Sequence, residues 1–313
     1  GANAILPVSL AYAKLSAAAQ NISLYKYIGA LCGVTVGRSP ILLFNVINGG
    51  AHAPGGPDLQ EYQVVPQVDN LPADRQVSES LRIGSEIYHK LKEIIKNEIG
   101  PMSANIGDEG GFVPAVKNNI EPFDLIMKAA KELGYENKIK IGIDAAGSEF
   151  YKDGKYILKE GEFDAEKLLE FYDDIVSKYP MSHIEDPFEE ESFGDFAKIT
   201  AKYGEKITVI GDDLTVTNIK KIQTAQDKKS CNGVIIKLNQ IGTVWETLEA
   251  VRLAKSFGWK IIVSHRSGET EDTFISDLAF GSGADMIKTG APCRGERVAK
   301  YNQLLRIEEE LRR

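Results

Sequence analysis

Met181-Ser-His-Ile-Glu-Asp-Pro187, Ile207-Thr-Val-Ile-Gly-Asp-Asp213 and Gly233-Val-Ile-Ile-Lys-Leu-Asn239 are short apolar runs that each meet an ionisable residue at or near their end. Amphipathic stretches at about 193–203 and 217–229 separate them and are long enough for helices. The alternation continues in both directions. Downstream come helix 243–257, strand 260–264, helix 271–281, strand 284–288 and helix 294–312. Upstream come strand 138–144 and a helix that starts at the N-cap Asp164 and runs to Tyr179. An Asp153–Gly154 pair between them signals a hairpin over 148–159.

Strands alternating with helices across short connections mean right-handed βαβ units and a parallel sheet. Strands 41–47 and 61–65 precede these six units, as do two helices, at 77–95 and 122–133. The pattern predicts an α/β fold, a TIM-type barrel with a leading ββαα arrangement. An open doubly wound sheet is the alternative from pattern alone, but no Gly-x-Gly-x-x-Gly or Walker loop supports it.

The chain of 313 residues has room for one barrel, which takes roughly 250, plus a segment at one end. Residues 2–31 read as helical and apolar, and a Gly/Pro-punctuated break runs from Gly33 to Pro40. The expected division is therefore a helical segment, 1–36, and a barrel, 37–313. A net charge of −8 argues against a surface built to grip nucleic acid. No apolar run reaches the ~18 residues of a membrane span, and no signal-peptide pattern opens the chain. Cys32, Cys231 and Cys293 lie far apart and match no zinc or redox spacing. The expected setting is a reducing cytoplasm.

Polar residues interrupt the apolar strands at one end. Asp144, Glu185 and Asp212 close three successive strands; Lys237, His265 and Lys288 close the next three. In a barrel those ends converge on the face where active sites sit. Three carboxylates make a hard-oxygen site suited to Mg²⁺, and the lack of thiolates and His-rich spacings disfavours Zn²⁺. A single strand-end Asp is usually a cap, which is the reading for Asp186 and Asp213. His89 and Arg82 read as surface or packing residues of the long helix.

Specific motifs go further. Gly1-Ala-Asn-Ala-Ile-Leu6, Asn48-Gly-Gly-Ala-His52, Gln60-Glu-Tyr62, Asn105-Ile-Gly-Asp-Glu-Gly-Gly111, Ile184-Glu-Asp-Pro-Phe188, Gly211-Asp-Asp213, Lys237-Leu-Asn-Gln240, Ser264-His-Arg-Ser267 and Ile287-Lys-Thr-Gly290 occur in order along nearly the whole chain. In these the sequence resembles the enolase family. The resemblance implies a lyase that interconverts 2-phosphoglycerate and phosphoenolpyruvate in glycolysis, on a barrel of the enolase kind. It implies Asp144, Glu185 and Asp212 as Mg²⁺ ligands, Lys237 as the base, and Glu109, supported by Glu61, as the acid. Lys288 would neutralise the carboxylate side, Arg266 and Ser267 would hold phosphate, and His52 and His265 would line the leaving-group side.

The resemblance also implies an N-terminal domain ahead of residue 1, of which 1–36 would be the closing helices. A loop of that domain would ligate a second Mg²⁺, so a polypeptide supplying it in trans is an expected partner. A homodimer or larger assembly is a further expectation. Two other readings stay open: a different reaction on a carboxylate, such as racemisation or lactonisation, and a non-catalytic barrel subunit. Several features depart from the family pattern near the site: Ala51 stands where Ser is common before the His, and Pro54 to Pro57 reshape the loop between His52 and Glu61. Tyr62 stands where Phe is usual. His183 replaces a usual Ser with the strand parity of Glu185, and it reads as a packed core histidine beneath the metal.

Overall fold

The computed structural model describes residues 1–35 and 37–312, with the side chain of His52 also outside the description. Two strands open the barrel, β1 (Ile41–Asn48) and β2 (Glu61–Pro66), and β3 (Ile139–Asp144) follows after two helices. A small separate sheet comes next: β4 (Tyr151–Lys152), β5 (Lys155–Leu158) and β6 (Gly161–Phe163). The barrel then resumes with β7 (Met181–Glu185), β8 (Thr208–Gly211), β9 (Gly233–Ile236), β10 (Lys260–Ser264) and β11 (Met286–Lys288). Around the closed ring the order is β1, β2, β3, β7, β8, β9, β10, β11 and back to β1.

β2 is antiparallel to both of its neighbours, and the other pairings are parallel. Because β2 runs backwards, its first residue lies at the end where the other strands finish. Register makes this concrete: Glu61 pairs with Asp144, and Asp144 with Glu185.

Alternation along each strand sorts the side chains. Val209, Val234, Ile236, Ile261, Val263 and Ile287 join the main core beneath the helices. Their alternates Leu43, Val65, Ile210, Ile235, Ile262 and Met286 form a separate cluster inside the barrel. The helices over the barrel start where a side chain takes up free N–H groups. Asp164 caps α5 (Ala165–Lys178), Asn218 caps α7 (Ile219–Asp227) and Thr243 caps α9 (Val244–Ser256).

The N-terminal apolar segment is helical as read, in two helices, α1 (Ala2–Ala19) and α2 (Leu24–Cys32), and Gly33 ends the second at φ 64°. Two details differ from the sequence reading. The strand read over 233–239 stops at Ile236. The Lys237 N–H goes to Thr217 Oγ1 (3.0 Å), and a one-turn helix, α8 (Leu238–Ile241), begins there. The hairpin at 148–159 gains a third strand, β6. Among the described residues, no helix is long and apolar enough to cross a membrane.

Candidate metal and acid–base site

The strand ends meet in a cavity of about 450 Å³ at the barrel mouth, lined by Glu61, Glu109, Asp144, Asp212, Lys237 and Lys288 among others. Asp144, Glu185 and Asp212 each present a carboxylate oxygen within 4.8 Å of the others. Burial and the facing Asp144 push the Glu185 carboxyl well up. Burial also acts on Asp212, but Lys237 and Lys288 outweigh it and the net direction is down.

Two ammonium groups supply the positive charge this acidic wall needs. Lys288 Nζ lies 3.0 Å from Asp144 Oδ2, 2.8 Å from Glu185 Oε1 and 3.2 Å from Glu61 Oε1. Lys237 Nζ pairs with Asp212 Oδ2. The other Asp212 oxygen, Oδ1, is buried and has no hydrogen-bond partner among the described residues. Three converging carboxylates with an orphaned oxygen fit a hard divalent cation. The loop after β7 sets this wall: Asp186, at φ 40°, accepts the N–H groups of Asp212 (2.8 Å) and Asp213 (2.7 Å). Asp186 is thus an organiser of the site rather than a simple cap.

The acid side is built differently. Residues 106–112 lie across the end of β1, with Phe112 N–H on Val46 O (2.9 Å) and Gly111 N–H on Asn48 Oδ1 (2.9 Å). This holds Glu109 at the mouth. Its Oε2 accepts from Asn45 Nδ2 (2.6 Å), and its Oε1 accepts from Ser267 Oγ (2.8 Å). Glu61 Oε2 accepts from Gln63 Nε2 (2.6 Å), and Gln63 Oε1 meets His183 Nε2 at 2.8 Å.

Burial and then the neighbouring Glu109 push Glu61 well above the carboxylate range. Glu109 is also buried, but His265, Lys288 and Ser267 turn its net shift downward. The pair thus splits as like-charge repulsion requires, with the proton held on Glu61. Sequence reasoning found Glu61 and Glu109 and placed His183 in the core beneath the metal, but missed the Asn45 and Gln63 support, which carries no strand-end signal.

Ring position separates the roles. Glu61 on β2 and Lys237 after β9 stand four strands apart in either direction round the eight-strand ring. The carboxylates of β3, β7 and β8 occupy one arc between them; His265 and Lys288, from β10 and β11, occupy the other. Arg266 is exposed at this mouth, its Nη1 3.2 Å from Asn239 Oδ1. The His52 side chain lies outside the described residues. His89 and Arg82 are exposed, as read from the sequence.

A lysine acting as the base that the resemblance implies has to be neutral. Burial and Lys288 do favour a neutral Lys237, but Asp212 outweighs them and the net shift is upward. With Asp212 as its direct partner, Lys237 is an ammonium.

Fold and site define a barrel of the TIM class with a candidate divalent-ion wall facing an acid–base pair. The sequence matches the family described as Enolase, C-terminal TIM barrel domain, over residues 38–313. It is 48% identical over 320 residues to an enolase of Solanum lycopersicum, covering 99% of this chain and 71% of that protein. It is also 48% identical over 311 residues to an enolase of Methanocaldococcus jannaschii, again covering 99% and 71%. The chain belongs to the enolase family.

Proposed function

We propose that the chain carries the catalytic site of an enolase, a hydro-lyase that reversibly dehydrates 2-phosphoglycerate to phosphoenolpyruvate with Mg²⁺. The observation that carries this reading is the opposition of Lys237 and the Glu61–Glu109 pair across the ring, with three carboxylates on the arc between. A proton next to a carboxylate is very weakly acidic, because its removal adds charge to an anion. Mg²⁺ held by Asp144, Glu185 and Asp212 would stabilise that charge as a Lewis acid. Mg²⁺ on Asp212 would take that carboxylate's charge away from Lys237 and favour the neutral amine. In that form Lys237 takes the carbon-bound proton on one side of the substrate, and the Glu61–Glu109 pair gives a proton to the departing hydroxyl on the other. A lysine or histidine base working with one or two Mg²⁺ is the known pattern of the enolase superfamily, and the reading follows that pattern.

In this reading Lys288 neutralises the substrate carboxylate, Arg266 and Ser267 hold the phosphate, and His265 lines the leaving-group side, a role the resemblance also gives to His52. We assign the second Mg²⁺ to none of these 313 residues. We read 1–36 as the closing helices of the domain that brings it, joined covalently or in trans. The three cysteines are free, which suits the cytoplasmic setting of this reading.

The test measures metal binding and turnover separately. Mg²⁺ raises the melting temperature by mass action, with about 2.7 kcal/mol of added stability at a hundredfold excess over Kd. Asp212→Ala abolishes that rise. Lys237→Met keeps the rise but lowers 2-phosphoglycerate turnover by about 10²–10⁴-fold, the usual range for a general base. Unchanged turnover in Lys237→Met, or a wild-type chain indifferent to Mg²⁺, sinks the proposal.

A further inference from the structure

Arg297 lies in α11 (Gly295–Leu311), behind the mouth, and is 1% exposed. No strand-end pattern marks it. Its guanidinium fork donates at all four terminal positions. Nη1 meets His265 Nδ1 (2.6 Å) and Arg266 O (2.7 Å), while Nη2 meets Asp108 O (3.0 Å) and Ser267 O (2.6 Å). One side chain therefore ties the loop after β10 to the loop that carries Glu109. The turn after β11 is shaped around its stem: at Gly290, φ 84°, a Cβ would lie 2.9 Å from Arg297 Cδ.

A guanidinium has donors and no acceptor, and it does not lose its charge in proteins. An imidazole nitrogen 2.6 Å from it must therefore offer a lone pair. A neutral imidazole with Nδ1 bare carries its hydrogen on Nε2. His265 Nε2 is buried, has no hydrogen-bond partner among the described residues, and lies 3.9 Å from Glu109 Oε1. It is a spare donor aimed at the acid side of the cavity.

The geometry points to Arg297 as a positioning residue that locks His265 into the Nε2–H tautomer, making it a neutral hydrogen-bond donor to the leaving-group side of the substrate rather than a proton source. What the donor meets rests on the enolase reading; the tautomer does not. Burial first, with Arg297, Lys288 and Lys237 behind it, overrides Glu109 and pulls the imidazole down to about 3. The group accordingly stays uncharged near neutrality.

The experiment labels the histidines of the 313-residue chain with ¹⁵N and assigns His265 through His265→Gln. At neutral pH, wild type is expected to show a protonated Nε2 and a bare Nδ1. Arg297→Gln, whose amide can either donate or accept, mixes the tautomers; Arg297→Lys, which can only donate, restores the wild-type pattern. A wild-type His265 protonated on Nδ1, or on both nitrogens, overturns the proposal even if Arg297→Gln fails to fold. So does a folded Arg297→Gln that keeps the pure Nε2–H form.

Adding 2-phosphoglycerate with Mg²⁺ then shifts the Nε2 resonance. Turnover of Arg297→Gln falls on the order of 10- to 100-fold, the scale on which a metal-binding histidine suffers from losing its outer partner. Binding that leaves Nε2 untouched removes the donor role. A chain that binds no 2-phosphoglycerate removes the enolase reading and leaves the tautomer result standing.

Discussion

The inner lining of the barrel has two unlike walls. Beneath Asp212, Lys237 and Lys288 it is apolar, with Ile210, Ile235, Ile262 and Met286 packed in one cluster. Beneath Glu61 and Glu109 it is polar, with Asn45, Gln63 and His183 fully buried and hydrogen-bonded upward or to one another. The two walls hold their charges by different physics. Over the apolar wall, ions are held by other ions. Over the polar wall, the neutral donors Asn45, Gln63 and Ser267 do most of the holding, with Lys288 adding an ammonium 3.2 Å from Glu61 Oε1. A metal site suits the first arrangement, because carboxylates balanced by ammonium groups can be balanced by a bound cation instead. A pair that gives up a proton needs the second.

The strongest way to break this contrast is to remove the ion that holds the ions. Lys288→Met keeps most of the buried stem but leaves Asp144, Glu185 and Glu61 facing one another. Without divalent ions, urea unfolding should show a loss of about 3–5 kcal/mol, as for a buried charge stripped of its partner. Mg²⁺ should then raise the melting temperature of Lys288→Met more than that of wild type. A variant as stable as wild type without Mg²⁺ means the lysine is not what balances the wall.

That wall was legible in the sequence because acids and lysines closing strand after strand have no common structural use, although one alone is usually a cap, and barrel topology brings strand ends together. Asp144, Glu185, Asp212, Lys237 and Lys288 were all readable this way. Glu61 was not, by pattern: it begins its strand, and only the reversed direction of β2 brings it to the mouth. It was found by resemblance. Arg297 and Gln63 were invisible because a single polar residue inside an apolar pattern says nothing about which atom it faces. His183 was half legible. Parity placed it inside the barrel, but the room for its ring depends on Gly142, where any Cβ would overlap the imidazole. That pairing is a property of register, not of either sequence segment.

A second prediction compares the two walls at similar depth. Gln63→Met matches the side chain in length and removes both of its hydrogen bonds, leaving Glu61 Oε2 and His183 Nε2 without that partner. Its expected cost is about 1–3 kcal/mol, the penalty for orphaning buried polar groups. Ile262→Val on the other wall removes one methylene and should cost about 0.5–1.5 kcal/mol. Equal costs, measured by urea unfolding, would show that the polar wall is packing and not a hydrogen-bonded support.

The subtlest prediction concerns the charge of the polar wall. Burial, reinforced by Lys288, pulls His183 from its ordinary 6.5 down to about 3. Between those values the unfolded chain binds a proton at this residue and the folded chain does not, so this group's contribution to stability rises with pH. Its contribution is complete above about pH 6.5 and is lost as pH falls toward 3. Glu61 and Glu185 work in the opposite sense, since their raised values let the folded state keep protons that the unfolded state releases. The raw slope of stability against pH therefore mixes signs, and only a difference isolates the histidine. His183→Gln retains an amide that can donate to Gln63 but cannot titrate. On acidification below about pH 6.5, wild type should lose stability relative to His183→Gln by up to about 1.4 kcal/mol per pH unit, the value for one proton. Parallel curves would mean that His183 takes up its proton in the folded state as readily as in the unfolded one. In that case the support beneath Glu61 is not neutral, and the distinction between the two walls fails where it is most specific.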